Sequence, residues 1–187
     1  MPTTRPKKMA ESAMDGSLAG IDIRTDADAW RAFGGDIEAT VERAATAALE
    51  DERGPLEVSI LLTDDAAIAE LNLRWRAKTG PTNVLSFPGD DAPFGGSGGP
   101  RMLGDIVVAA ETLEREAGRD GISLADHLSH LIVHGMLHLR GYDHETEEDA
   151  VEMESRETAI LARLGVADPY RADIPVSNDE APEQPTR

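Results

Sequence analysis

Three histidines stand in the run His134-Gly135-Met136-Leu137-His138-Leu139-Arg140-Gly141-Tyr142-Asp143-His144, and the spacing H-x3-H-x5-H is that of a metal site. All five histidines of the chain fall between His127 and His144, a clustering that chance would rarely produce. Residues four apart on a helix share a face, so His134 and His138 would lie one above the other. Gly141 offers a helix stop, because glycine tolerates the left-handed conformation of a C-terminal turn. The chain can then fold back and bring His144 to the same point. Three imidazoles on a tetrahedral ion leave one position open, which is the pattern of catalytic zinc; structural zinc is usually closed by four ligands, often cysteines. The chain has no cysteine, which excludes a Cys-rich structural site. Nickel and copper also suit three imidazoles, so zinc is favoured by residue type without being fixed by it.

The element that must carry these ligands is a helix starting near Ser123, where Ser123 and Asp126 resemble a capping box. At 100° per residue, His127, His130, His134 and His138 fall within an arc of roughly 80°. Leu128, Leu131, Ile132, Val133, Met136, Leu137 and Leu139 fill the rest. A helix apolar nearly all round is buried. His127 and His130 are therefore either core histidines satisfied by backbone or groups that orient the ligands, and Asp143 could orient one as well. The ligand spacing also matches the metzincin proteases. It fails at the residue after the first histidine, where those enzymes need a glutamate as general base and this chain has Gly135. Peptide hydrolysis on that template is excluded unless another base replaces it.

Two further blocks are ordered with the histidine run. One is Leu71-Asn72-Leu73-Arg74-Trp75-Arg76-Ala77-Lys78 followed by Pro81-Thr82-Asn83-Val84-Leu85-Ser86-Phe87-Pro88; the other is Leu103-Gly104-Asp105-Ile106-Val107-Val108. With Asp168-Pro169-Tyr170 as a weaker fourth, they resemble the bacterial rRNA maturation factor YbeY family of zinc-dependent endoribonucleases over roughly residues 20 to 171. The resemblance implies one Zn2+ held by His134, His138 and His144, and activity that depends on Arg76. It implies single-strand-specific cleavage in rRNA processing, namely 16S rRNA 3′ end maturation, and in ribosome quality control. The implied partners are single-stranded RNA or rRNA, the small ribosomal subunit with its proteins, or an assembly GTPase. The chain departs from the family pattern where Trp75 replaces a tyrosine, Ala77 a glycine and Gly80 a lysine, and in a glycine-rich stretch at 93–100. The lost lysine removes one potential phosphate contact.

A chain of 187 residues with 40% hydrophobic content supports one domain, its core aliphatic because aromatics are only 4%. No apolar run approaches the roughly 18 residues that cross a membrane. The basic start, Met1 to Lys8, lacks the apolar stretch of a secretory signal. These features and the absence of cysteine point to a cytoplasmic protein with no membrane partner. The net charge of −18 sits badly with a nucleic-acid enzyme. Total charge is not local field, however, and Arg74, Arg76 and Lys78, with Arg101 and Arg140, offer a locally basic cleft. The expectation is weak binding of free RNA, with positioning supplied by the ribosome or a protein partner.

The periodicity predicts an α+β single domain, a small mixed sheet of about four strands covered by helices, with the metal site on a buried helix and the following turn. Strands are expected at 19–24, 56–62, 83–87 and 103–109. Helices are expected at 30–50 (interrupted near Gly34-Gly35), from a cap at Thr63 or Asp64 through Trp75, near 111–118, along the histidine run, and from about Thr146 to Leu164. The last helix should pack Val151, Ile160, Leu161 and Leu164 on the core. Its acids, Glu147 to Glu157, read as a solvated face, with partner binding or support of the metal as the alternative. Residues 1–17 and 172–187 read as disordered flanks of a catalytic domain at 18–171.

A zinc ion could polarise a phosphoryl oxygen and lower the pKa of water toward ~7. The Arg76 fork matches two phosphate oxygens; its bland alternative is a surface residue at a helix end. No general base is identifiable. Thr82, Asn83 and Ser86 are candidates for substrate backbone contacts or simply turn and strand-edge residues, and Asp105 either reaches the site or starts a strand. The rival reading is a ribosome assembly factor with a structural zinc and little catalysis of its own.

Overall fold

The structure, a computed structural model, describes residues 19–89 and 99–171. The expectations for 1–17, for the tail at 172–187 and for most of the glycine-rich stretch lie outside the described residues. Strands β1 (Ala19–Thr25), β2 (Leu56–Thr63), β3 (Val84–Pro88) and β4 (Arg101–Ala109) form one sheet in the order β1-β2-β4-β3. The first three in that order run parallel and β3 pairs antiparallel along β4. This is the mixed four-stranded sheet expected. The helices are α1 (Ile37–Ala48), α2 (Asp65–Arg76), α3 (Ala110–Asp120), α4 (Leu124–Leu139) and α5 (Glu147–Leu164).

Strand alternation divides the apolar residues between two faces. Val58, Ile60, Leu62, Ile106 and Val108 point to the large core, where α4 lies between the sheet, α1 and α5. Leu61, Leu85, Phe87 and Val107 point to the other face and meet Ile68 and Leu71 of α2. The caps follow sequence chemistry. Asp64 accepts from the Ala67 N–H at 2.8 Å, Ser123 from Asp126 at 3.0 Å and Thr146 from Asp149 at 3.2 Å, each satisfying a donor the first helical turn leaves orphaned.

Two details depart from the periodicity. The helical spacing that begins at Trp30 is split into a 3-10 turn at Asp28–Ala32 and α1, with the break at Gly34-Gly35. Val151 is 63% exposed, so α5 does not pack through it; Met153, Glu157, Ile160 and Leu161 form its buried face. At Gly104 the chain has φ +129, and a Cβ there would stand 2.1 Å from the Phe87 carbonyl oxygen. The register between β2 and β4 slips one residue at this point, the signature of a bulge that only glycine fits.

Candidate metal centre

Helix α4 sets the first two imidazoles. Its face toward the cleft carries His134 and His138, with His130 one turn back against Glu157, while the opposite side is buried aliphatic core. His134 and His138 point their Nε2 atoms at each other, 3.1 Å apart. Two nitrogens bound at ~2.0–2.1 Å to a tetrahedral ion would stand about 3.3 Å apart, so the pair is already close to shared ligation. Each ring is held by its other nitrogen. His138 Nδ1 lies 3.1 Å from the Tyr142 carbonyl oxygen, and His134 Nδ1 lies 3.4 Å from Glu157 Oε2.

The turn after α4 brings the third. Gly141, at φ +89, donates to the His138 carbonyl, and the Tyr142 N–H donates to that of Leu137. The chain thereby reverses as glycine stops do. The Asp143 carboxylate accepts from the His144 N–H at 2.8 Å, so Asp143 shapes the turn rather than orienting an imidazole. The His144 ring comes to rest with its centroid 5.0 Å from His138 and 5.5 Å from His134. One ligand atom from each of the three lies within 4.8 Å of the others. Three imidazole nitrogens converging on one point fit a zinc ion with an open position. Burial lowers the pKa of His138, and the neighbouring His134 and His144 lower it further against the weaker opposing pull of the Tyr142 carbonyl and Asp143, which keeps the ring in the form that ligates.

The imidazoles line a cleft of about 690 Å³ together with Arg76, Lys78, Thr82, Ser86, Asp143 and Glu145. Asn72 is buried and donates to the Gly80 carbonyl at 2.9 Å, which ties down the loop after α2. That loop leaves α2 through Ala77 in a left-handed conformation, φ 53. Asn83, a candidate substrate contact, is engaged elsewhere: its carbonyl oxygen accepts from the Val84 N–H and its amide donates to Glu116. Arg101 and Arg140 do not reach the site. Arg140 is bound to Glu52, Asp51 and the Ala48 carbonyl, and Arg101 to Glu52, both at the end of α1. Asp105 lies on the opposite face of the sheet, in an apolar groove with Leu61, Trp75 and Phe87.

Glu157 departs from the solvated face first read for the acids of α5 and falls under the alternative, support of the metal. It is fully buried, with Oε1 2.7 Å from His130 Nε2. Its Oε2 accepts from the Tyr170 hydroxyl at 2.7 Å. Burial would raise its pKa, but hydrogen bonds and attraction from His130, His134 and Tyr170 win and hold it at about 2. Burial and the facing carboxylate push the Tyr170 hydroxyl up, so it stays a donor. The signal was present in the sequence: Glu157 falls in phase with Met153, Ile160 and Leu161, an acid in the middle of an apolar stripe. His127, the buried one of the five histidines, has its Nε2 2.9 Å from Glu116, which places it as a core tie between α3 and α4.

An α+β sheet with an open three-histidine centre on a buried helix, set in a cleft that Arg76 and Lys78 also line, defines the class: a candidate metal-dependent enzyme. The comparisons agree and are more specific. The family model described as "Endoribonuclease YbeY" matches residues 25–165. The chain is 51% identical over 159 residues to the endoribonuclease YbeY of Rhodopseudomonas palustris, covering 83% of each chain, and 54% identical over 154 residues to that of Nitrobacter winogradskyi, covering 80% of each. The solution structure of TM1509 from Thermotoga maritima shares the fold with a TM-score of 0.51 at 22% identity, over 82% of this chain and 100% of that one. The chain belongs to the endoribonuclease YbeY family, a family of enzymes.

Proposed function

We propose that this protein is a single-strand-specific, zinc-dependent endoribonuclease acting in rRNA processing, at the 3′ end of 16S rRNA, and in ribosome quality control. The observation that carries the reading is the convergence of His134, His138 and His144 in a cleft that Arg76 and Lys78 also line. The relatives' name supports cleavage of RNA, and the resemblance read from the sequence supports rRNA as the substrate.

His134, His138 and His144 would hold the zinc, which when bound supplies Lewis-acid polarisation and a more acidic water. The residues of the chain do the rest. Arg76 offers two parallel N–H donors to the phosphate oxygens and stabilises charge that grows there as the bond breaks. Lys78 adds a second positive charge in the same cleft. Thr82 and Ser86 present hydroxyls beside the histidines that can contact the RNA backbone.

The test is cleavage of a labelled single-stranded RNA with zinc content measured in parallel. His138→Ala should lose zinc and cleavage together. Arg76→Ala should keep its zinc and lose turnover by about 100-fold or more, the range seen when one donor to a developing charge is removed. The assembly-factor reading is favoured by the exposed acids Glu147, Glu148, Asp149 and Glu152 at the start of α5, which could dock on a basic partner. Zinc-loaded wild type that cleaves no RNA, free or within a precursor subunit, would select it.

A further inference from the structure

Behind the metal ligands lies a second polar cluster that ligation does not use. Glu157 is the one carboxylate of α5 with no exposed surface, and no lysine or arginine neutralises it among its described contacts. A buried carboxylate without compensation is costly, so its neighbours define its role. It stands between two elements. On the α4 side it meets His130 at 2.7 Å and His134 Nδ1 at 3.4 Å. On the other side the Tyr170 hydroxyl donates to it at 2.7 Å. The turn that carries Tyr170 is itself anchored to α5. Asp168 Oδ1 accepts from the Tyr170 N–H at 2.9 Å and from the Thr158 hydroxyl at 3.3 Å. The Tyr170 ring also packs edge-on against His130, centroids 6.1 Å apart.

We infer that Glu157 is a positioning residue for the metal centre: it holds His134 with the proton on Nδ1 and Nε2 free toward His138, and Tyr170 clamps the carboxylate in that pose. The inference rests on reading the three histidines as zinc ligands. A histidine that ligates through one nitrogen needs a fixed acceptor at the other, which sets the tautomer and raises ligand basicity. His138 has the Tyr142 carbonyl for this purpose, and among the described residues His134 has only Glu157. His130, His134 and Glu157 also lie close enough to be a metal group of their own. Their geometry argues against it, because His134 would have to turn Nδ1 to that ion while Nε2 serves the first. One oxygen of the carboxylate is moreover already taken by the tyrosine hydroxyl.

The experiment measures zinc affinity by competition with a chromophoric chelator for wild type, Glu157→Gln and Tyr170→Phe, with folding followed by circular dichroism. Glu157→Gln should weaken zinc binding by about 10- to 100-fold, the usual effect of losing a group behind a ligand, and Tyr170→Phe by a smaller factor. The signature that a merely structural role would not move is the Nδ1–H resonance of His134 in 15N-histidine spectra of the zinc-loaded protein. It should sit downfield in wild type and move upfield in both variants. Wild-type zinc affinity and an unmoved resonance in Tyr170→Phe would overturn the proposal even where Glu157→Gln fails to fold. Wild type that binds no zinc would overturn the metal reading itself, and this inference with it; wild type that binds zinc beside variants that bind it equally well would overturn this inference alone.

Discussion

Ala77 is the clearest case of a single residue working against its backbone. It takes φ 53 at the end of α2, where a non-glycine residue loses roughly 1–2 kcal/mol. Glycine would relieve that and give back about 0.4–1 kcal/mol in the entropy of the unfolded chain. Ala77→Gly should therefore raise stability by roughly 0.5–1 kcal/mol, read as a higher urea midpoint at unchanged slope. A lower midpoint would mean the left-handed pose carries no strain. At this scale the convergence of His134, His138 and His144 was legible because spacing alone specifies a helix face and a stop. Glu157 was not, because a run of acids at 147–157 reads as solvated until the phase of α5 is fixed by packing. Arg140 misled for the opposite reason: it is near His138 in sequence, but the helix end turns it toward α1.

The element that matters most is α4, and its distance from the sheet is set by Gly135. A Cβ there would meet Ile106 Cδ1 and Ser86 Oγ, both at 3.1 Å. Any side chain here would press on Ile106 and Ser86 and make them give way, and the close approach puts His134 and His138 beside Ser86. The metzincin general base belongs at this same position, so its absence is a packing requirement as well as a chemical difference. Gly135→Glu would force a carboxylate into that contact and should cost at least about 3 kcal/mol through overpacking and burial of charge. Equilibrium unfolding in urea decides it, and a variant as stable as wild type would show that α4 can lift off the sheet. Strands, caps and helix order were readable from period and cap chemistry. The pairing order was not, because β4 inserts between β2 and β3 and no local signal carries that choice.

For the molecule as a whole, the histidine cluster ties stability to pH. In the metal-free protein His138 has a pKa lowered from its usual 6.5 by burial and by its histidine neighbours. The unfolded chain therefore takes up a proton that the folded one resists, and stability falls as pH drops below 6.5. Glu157, held at about 2 against a usual 4.5, adds stability above 4.5 that is lost as pH falls through that range. Urea midpoints between about pH 7 and 3 should show both losses, and saturating zinc should oppose the first by keeping the imidazoles neutral. A flat profile from pH 7 to about 5 would show that His138 protonates freely in the fold. The charge of −18 was an accurate global number and a poor guide to the cleft, because acids gather on α3 and α5 while the cleft sets Arg76 and Lys78 beside Asp143 and Glu145.

The clamp by Tyr170 also orders events in time. In chain order the three histidines come before both Glu157 and Tyr170. While the last turn is open, no clamped carboxylate stands behind His134, and on the inference above a folding chain at that stage should hold metal loosely and exchange it readily until that turn closes.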